Sequence, residues 1–125
     1  MLSLEHLRKL QSDPTEVIAV LRDLFTRMGE ATTQVGGRLG FKVHGAQGGV
    51  WTVELSSPGG RWAEGDETAF ARCDARIYCF QREFAALVAG PEAIGGLLET
   101  GRFVVEGRKQ MLPRLGQLIR TTGGL

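Results

Sequence analysis

The sequence has 125 residues, of which 42% are hydrophobic and 23% are charged, and its formal net charge is +1 at pH 7. This length and composition predict one globular domain over residues 1–125 with room for a core, and the nearly neutral charge argues against a general attraction to nucleic acid or to an acidic membrane. The sequence contains no signal-peptide pattern and no apolar run of the ~20 residues that a membrane-spanning helix needs, so we expect a cytoplasmic protein without stable membrane insertion.

A helix is predicted to begin at Asp13. Asp13 can cap this helix, Pro14 suits its first position, and Glu16 lies where a capping box places its acidic residue. The apolar residues that follow at helical spacing would form its buried face, namely Val17, Ile18, Leu21, Leu24, Phe25 and Met28, with Gly29 as a suitable end. A shorter helix is expected upstream, where leucines recur at Leu4, Leu7 and Leu10. Its role stays open between covering a site, dimerisation and plain packing.

From Gly40 onward apolar and polar residues alternate, which predicts strands. Residues 41–44 and 50–55 form the first two strands, and a glycine-bearing turn over residues 45–49 joins them. A second turn over residues 57–60 leads into a third strand at residues 61–64. The pattern therefore predicts an antiparallel meander of three strands.

A fourth strand is predicted over residues 73–80, where Cys73 and Cys79 fall on one face. Six residues of strand separate them by roughly 20 Å, which excludes a disulfide because its Cα atoms must lie within about 7 Å of each other. Two cysteines are also too few for the framework of a secreted domain. We interpret both as small buried residues, with a reactive thiol or a metal ligand as the alternative.

The last third of the chain predicts two helices, a strand and a final helix. The first helix has the apolar residues Phe84, Leu87 and Val88 and ends at Gly90. The second begins at Pro91, carries Ile94, Leu97 and Leu98, and ends at Gly101. A fifth strand contains Phe103 and Val105, and the final helix has the apolar stripe Met111, Leu112, Leu115, Leu118 and Ile119, with Pro113 near its first turn. Grouped strands with helices elsewhere predict an α+β fold, with a mainly antiparallel five-stranded sheet and helices packed on one face.

Polar residues give little sign of catalysis. Gly36–Gly40 precedes a strand instead of joining a strand to a helix, so it does not match a phosphate loop. His6 and His44 lack partners at metal-ligand spacing, and Ser56–Ser57 lacks a nucleophile-elbow pattern. We interpret His44 as a solvated surface residue, with a general base or ligand as the alternative. Neither a cofactor nor a metal is expected.

Two charged clusters also have a plain interpretation and a functional one. The acidic residues Glu64, Asp66 and Glu67 suggest either a metal site or, as we prefer, the solvated end of a hairpin. The basic residues Arg108, Lys109 and Arg114 lie beside a helix start, where they would form a solvated face or contact a phosphate or lipid headgroup.

The segment from Asp74 to Ile119 resembles the sterol carrier protein (type two) domain family. That family shows an aspartate at the head of a strand, an apolar helix of the form Asp/Glu-Phe-x-x-Leu-x-x-Gly, a glycine-bracketed strand and a closing helix. Here the matching residues are Asp74, the segment Glu83–Gly90 and the segment Gly101–Gly107. The hairpin FKVHGAQGGVWTVEL is similar to the family's first two strands, and the resemblance extends over residues 15–120.

This resemblance implies an apolar cavity between helices and sheet that holds a fatty acid, acyl-CoA, phospholipid or sterol-like molecule, without covalent chemistry. The residues expected to line it are Leu21, Leu24, Phe25, Met28, Trp51, Phe84, Leu87, Val88, Leu97, Leu98, Phe103, Met111, Leu115, Leu118 and Ile119. One alternative is a protein-interaction or accessory subunit, for example in lipid or quinone metabolism, with a closed core and a homodimeric or protein partner. Another is a small enzyme that uses Cys73, Cys79 or His44.

Overall fold

The computed structural model of the protein describes residue 5, residues 13–86 and residues 92–121, apart from the side chains of residues 92–95 and 119. Its elements are, in chain order, α1 (Pro14–Met28), a 3-10 helix (Gly29–Gln34), β1 (Arg38–His44), β2 (Gly49–Glu54), β3 (Arg61–Glu64), α2 (Glu67–Ala71), β4 (Ala75–Phe80), α3 (Gln81–Phe84), α4 (Glu92–Glu99), β5 (Phe103–Gly107) and α5 (Met111–Thr121). The expected helix around Leu4, Leu7 and Leu10 lies outside the described residues, as do Leu87, Val88 and Gly90 of the helix that follows β4.

The five strands form one sheet in the order β3-β2-β1-β4-β5. The meander from β1 to β3 is antiparallel, and β5 pairs antiparallel with β4. The α+β class and the mainly antiparallel five-stranded sheet are therefore confirmed. The central pair is different, because β1 runs parallel to β4, with Leu39 opposite Ala75. The alternation along each strand gives no information on this pairing, since parallel and antiparallel strands share the same two-residue period.

One face of the sheet carries the main core. Leu39, Phe41 and Val43 occupy alternate positions of β1, and they join one buried cluster with the apolar face of α1. All six residues predicted for that face are at most 8% exposed. Asp13 caps α1 as predicted, since its Oδ1 accepts a hydrogen bond from Thr15 N at 3.0 Å.

The other face is partly covered by α2, a short helix that the sequence analysis did not predict. Asp66 caps it by accepting a hydrogen bond from Ala69 N at 2.9 Å, so the acidic cluster opens a helix and is not a plain hairpin end. Phe70 of α2 is buried and meets Tyr78 of β4 edge to face at 5.4 Å between ring centroids. Because Tyr78 alternates with the core residues of β4, α2 lies opposite the other helices.

Cys73 also lies on this second face, which corrects the sequence analysis. The strand begins at Ala75, not at Cys73, and the Sγ of Cys73 lies 3.4 Å from the carbonyl oxygen of Ala69 in α2. Cys79 belongs instead to the main core. The two cysteines are therefore not on one face. Both are buried and free, as predicted.

Asp74 connects three strands at the edge of the sheet where β1 and β4 begin. Its Oδ2 accepts a hydrogen bond from Arg38 N at 2.8 Å, and its carbonyl oxygen accepts one from Arg108 N at 2.6 Å. The guanidinium of Arg108 lies 3.5 Å from Oδ1 of the same carboxylate. The aspartate at the head of the strand thus connects the start of β1, the start of β4 and the end of β5.

The C-terminal elements follow the predicted order. The two helices with the strand between them are present as α4, β5 and α5, and Pro113 is the third residue of α5. A missing N–H costs little there, because the first turn of a helix has no intrahelical acceptors for its N–H groups. No helix among the residues described above is both long and apolar enough to cross a membrane.

Candidate functional site

Most of the predicted lining residues meet in the main core. Nine of them are buried members of one cluster, namely Leu21, Leu24, Phe25, Met28, Trp51, Phe84, Phe103, Met111 and Leu115. Leu97 and Leu118 are partly buried and pack against this cluster, whereas Leu98 is 41% exposed. Leu87, Val88 and the side chain of Ile119 lie outside the described residues. The fold therefore brings residues from four helices and two strands to one region between helices and sheet.

A group of aromatic side chains forms the centre of this region. Phe84 lies 6.2 Å from Trp51 in a stacked arrangement and 5.6 Å from Phe41 in a tilted one, measured between ring centroids. Trp62 of β3 continues the group, because it stacks on Phe41 at 6.1 Å and on Phe25 at 5.8 Å. Such contacts hold the rings in fixed orientations.

Two of these rings, Phe41 and Trp62, were not among the lining residues predicted from the sequence. Phe41 could have been found, since it shares the apolar face of its strand with Val43. Trp62 gave a weaker signal, because β3 has only four residues and the other three are exposed.

The two tryptophans of this group differ in their hydrogen bonding. Trp51 Nε1 donates to Glu64 Oε2 at 2.8 Å, which fixes its indole against β3. Trp62 Nε1 is buried and has no hydrogen-bond partner among the described residues. The guanidinium carbon of Arg22 lies 5.6 Å from the centroid of the Trp62 indole, so a cation covers the ring from the helical side.

A groove beside β5 connects this core with the surface. We call it the β5 groove; its volume is about 350 Å³, and it is lined by Leu98, Gly101, Phe103, Val104, Val105, Lys109, Leu112 and Pro113. Phe103 is only 1% exposed and belongs to the core, whereas Leu98 lies at the surface. The groove thus runs between the end of α4 and the start of α5, from solvent to the edge of the core. Lys109 is the cationic side chain in its lining.

A second groove lies on the other side of β5. It has a volume of about 350 Å³ and is lined by His44, Tyr78, Cys79, Phe80, Gly101, Arg102 and Val104. His44 is exposed, as predicted, and its ring centroid lies 5.8 Å from that of Phe80. Phe80 is itself 63% exposed.

The cysteines are poorly suited to nucleophilic chemistry. Burial raises the pKa of the Cys79 thiol to about 12, and the nearby Glu83 carboxylate adds to this shift. Burial also raises the pKa of the Cys73 thiol, although the positive charge of Arg38 opposes it. Since the thiolate is the nucleophile, both groups are unreactive at neutral pH.

The charged clusters have structural partners. Glu64 accepts the bond from Trp51, Asp66 caps α2, and Glu67 Oε2 lies 3.3 Å from Lys42 Nζ. Arg108 is held by the carboxylate of Asp74. Within the part of the chain that the structure describes, no three histidine, cysteine or acidic side chains are close enough together to hold a metal ion.

This protein is similar to known proteins in its three-dimensional fold. No family model matches the sequence, and no curated protein gives a significant match. Among solved structures, the apo form of sterol carrier protein 2 from Yarrowia lipolytica has a TM-score of 0.61 at 16% identity and covers 94% of this chain and 87% of its own. The sterol carrier protein domain 2 of Helicoverpa armigera has a TM-score of 0.63 at 20% identity, covering 87% of this chain and 89% of its own.

A third similar structure is the ubiquinone synthesis protein UbiJ-SCP2, with a TM-score of 0.59 at 14% identity over 83% of this chain and 90% of its own. The chain therefore has the fold of sterol carrier protein 2 domains. The TM-scores of 0.59–0.63 establish the fold, and sequence identities of only 14–20% leave the activity to the residues of the site.

Proposed function

We propose that this protein, built on the sterol carrier protein 2 fold, binds a long-chain lipid without covalent chemistry and carries it within the cytoplasm. The ligand would be a fatty acid, acyl-CoA, phospholipid or sterol-like molecule, held between the helices and the sheet. The observation that carries this proposal is the β5 groove, because it links solvent to the apolar core of a fold shared with named sterol carriers.

The size and lining of the groove support an apolar ligand. Its volume of about 350 Å³ lies within the range of small-molecule sites. Leu98, Val104 and Leu112 would contact an acyl chain along the groove, and Phe103 would meet it where the groove reaches the core. Each buried methylene group contributes about 0.8 kcal/mol, so a chain of modest length can bind without any polar motif.

The position of Lys109 supports an anionic headgroup. Lys109 lines a groove whose other walls are mostly apolar, near the start of α5. Such a site would place a carboxylate or phosphate beside Lys109 while the hydrocarbon follows the groove inward. An exposed ion pair of this kind contributes roughly 0.2–1 kcal/mol. We therefore expect the headgroup to adjust affinity and the apolar chain to dominate it.

A chain-length series on delipidated protein tests the proposal. Saturated fatty acids of 8 to 18 carbons would displace a fluorescent fatty acid, and native mass spectrometry would count the bound molecules. We expect affinity to rise about fourfold per methylene group until the site is filled and then to level off. Displacement that does not depend on chain length, or a protein that binds no probe, would contradict the proposal.

Matched variants locate the site. Leu98→Gln should weaken binding about tenfold, because it removes apolar contact from the β5 groove. Phe80→Gln is the control, since Phe80 is equally accessible to substitution but lies outside that groove. Lys109→Gln should weaken fatty-acid binding about threefold and leave the corresponding fatty alcohol unchanged. Equal effects of Leu98→Gln and Phe80→Gln would exclude the β5 groove as the entrance.

A second candidate function is an accessory subunit with a closed core. It is favoured by the close packing of nine predicted lining residues, each at most 8% exposed, and by the structural similarity to a ubiquinone synthesis protein. Retention of a specific protein partner by delipidated protein, together with no displaceable lipid in the chain-length series, would favour this function over lipid carriage.

A further inference from the structure

The outer edge of β5 is a candidate interaction surface. β5 is the last strand of the sheet, and among the residues that the structure describes no strand pairs with its far side. Unpaired strand edges present N–H and C=O groups that can extend a sheet into another chain. Val104 on this strand is 48% exposed, although it is a large apolar residue.

The backbone of β5 determines which residues can pair outward. Arg108 N donates to the carbonyl oxygen of Asp74, so these two residues form a hydrogen-bonded pair across β4 and β5. Hydrogen-bonded and non-hydrogen-bonded pairs alternate in an antiparallel ladder. Glu106 and Val104 therefore bond inward to β4, and Phe103, Val105 and Gly107 turn their backbone groups outward.

The side chains on the outer face of β5 carry complementary charges. Arg102 and Glu106 lie two residues before and after Val104, so all three share one face. Glu106 Oε1 accepts a hydrogen bond from Tyr78 Oη at 2.7 Å and lies 3.7 Å from Arg76 Nε, which holds the carboxylate on that face. Arg102 is exposed, and none of the ion pairs within the described part of the chain involves its side chain.

We propose that β5 pairs antiparallel with β5 of a second copy of this chain, about a two-fold axis at Val104. In this register Phe103 faces the second copy's Val105, so both contribute outward backbone groups. Arg102 then faces the second copy's Glu106, and the symmetry repeats this pair of opposite charges.

The neighbouring registers that satisfy the same backbone groups are less favourable. An axis at Phe103 places Arg102 opposite the second copy's Val104, with no charge pair. An axis at Val105 places Arg102 opposite the second copy's Arg108, and like charges directly opposite each other destabilise a sheet. The register centred on Val104 alone among these three forms two opposite-charge pairs.

The interface is small, so the dimer is reversible. The paired segment forms about four backbone hydrogen bonds, and its five residues per copy are far fewer than the roughly 20–30 residues a side of a standard stable interface. We expect a dissociation constant of roughly 100 µM, because interfaces of standard size already extend to micromolar affinity and this one is smaller. Sedimentation velocity from 5 to 500 µM on delipidated full-length protein should show a concentration-dependent shift from monomer to dimer.

Cysteine variants test the register directly. Under mild oxidation Val104→Cys should form a disulfide-linked dimer, because the two copies of position 104 face each other across the axis. Arg102→Cys is the control, since its two copies would lie ~14 Å apart along the strands, beyond the reach of a disulfide. The native thiols Cys73 and Cys79 are buried and do not compete.

The charge pair has its own test. Arg102→Glu should weaken the dimer about tenfold, and Arg102→Gln should have a smaller effect, because only the glutamate places like charges opposite each other. A monomer at every concentration, equal cross-linking of the two cysteine variants, or a dimer unaffected by Arg102→Glu would each overturn the proposal. All of these measurements use delipidated protein, because Val104 also lines the β5 groove, and none of their readouts depends on whether the protein binds lipid.

Discussion

The two glycines that bracket β5 should differ sharply in their tolerance of alanine. Gly101 and Gly107 both adopt a positive φ, +73° and +87° respectively, which costs an alanine about 1–2 kcal/mol. A Cβ on Gly101 would have no heavy atom within 4 Å, so Gly101→Ala should cost only this backbone strain. A Cβ on Gly107 would overlap the carbonyl oxygen of Asp74.

Relief of that overlap requires β5 to move away from β4. The movement would break the hydrogen bond from Arg108 N to the same carbonyl, which contributes about 1 kcal/mol, and would disturb the neighbouring pair of Ala75 with Gly107. We therefore expect Gly107→Ala to lower the free energy of unfolding by about 2–3 kcal/mol, against about 1–2 kcal/mol for Gly101→Ala.

Urea denaturation with linear extrapolation measures both values, and thermal unfolding provides a second measure. For a chain of 125 residues, 1 kcal/mol corresponds to about 4 °C in Tm. Gly107→Ala should then unfold about 8–12 °C below the wild type and Gly101→Ala about 4–8 °C below it. Losses within about 0.5 kcal/mol of each other would refute the steric argument, since the backbone strain is common to both positions.

Three further predictions concern the polar and apolar anchors of the fold. Asp74→Ala should lower the free energy of unfolding by about 2 kcal/mol, because the backbone N–H of Arg38 loses a charged acceptor. Asp74→Asn should lower it by about half as much in the same urea titration, and equal losses for the two variants would argue against the hydrogen bond. Burial raises the pKa of the Cys79 thiol from its ordinary value of 9.0 to about 12, so the unfolded state releases this proton first as pH rises. Wild-type stability should be intact below pH 9 and then fall about 1.4 kcal/mol per pH unit relative to Cys79→Ala up to about pH 12; parallel curves would contradict it. Phe84→Ala and Phe70→Ala should each cost about 3–4 kcal/mol, but only the former, on the main core face, should change the affinity for lipid in the displacement assay.

Several elements followed from local sequence signals. The apolar spacing of α1, its cap at Asp13 and the stripe of α5 are properties of consecutive residues, so they predicted helices correctly. The turn over residues 45–49 likewise predicted the hairpin of β1 and β2, because the connection is short. Where apolar spacing, capping residues and turn residues all favour the same element, that element can be predicted without knowledge of long-range contacts.

The candidate site was predicted less completely. Most of the expected lining residues meet in one cluster, because a one-sided sheet offers a single face to several amphipathic helices. The role of Leu98 could not be derived, since Leu97 and Leu98 are adjacent leucines and only the orientation of α4 decides which turns inward. Trp62 entered the aromatic group through contacts with β1 and α1, which are distant from it in sequence.

The sequence by itself determined α1, the five strands, α4 and α5 and their order along the chain, because these depend on the periodicity and turn chemistry of neighbouring residues. Only the tertiary structure decided that β1 lies parallel to β4 and that Cys73 lies on the face of the sheet that α2 covers. It also decided that Gly107, and not Gly101, has no space for a Cβ atom. Each of these depends on which distant backbone lies alongside. The sequence places equivalent glycines at the two ends of β5, and the carbonyl of Asp74 makes them physically different.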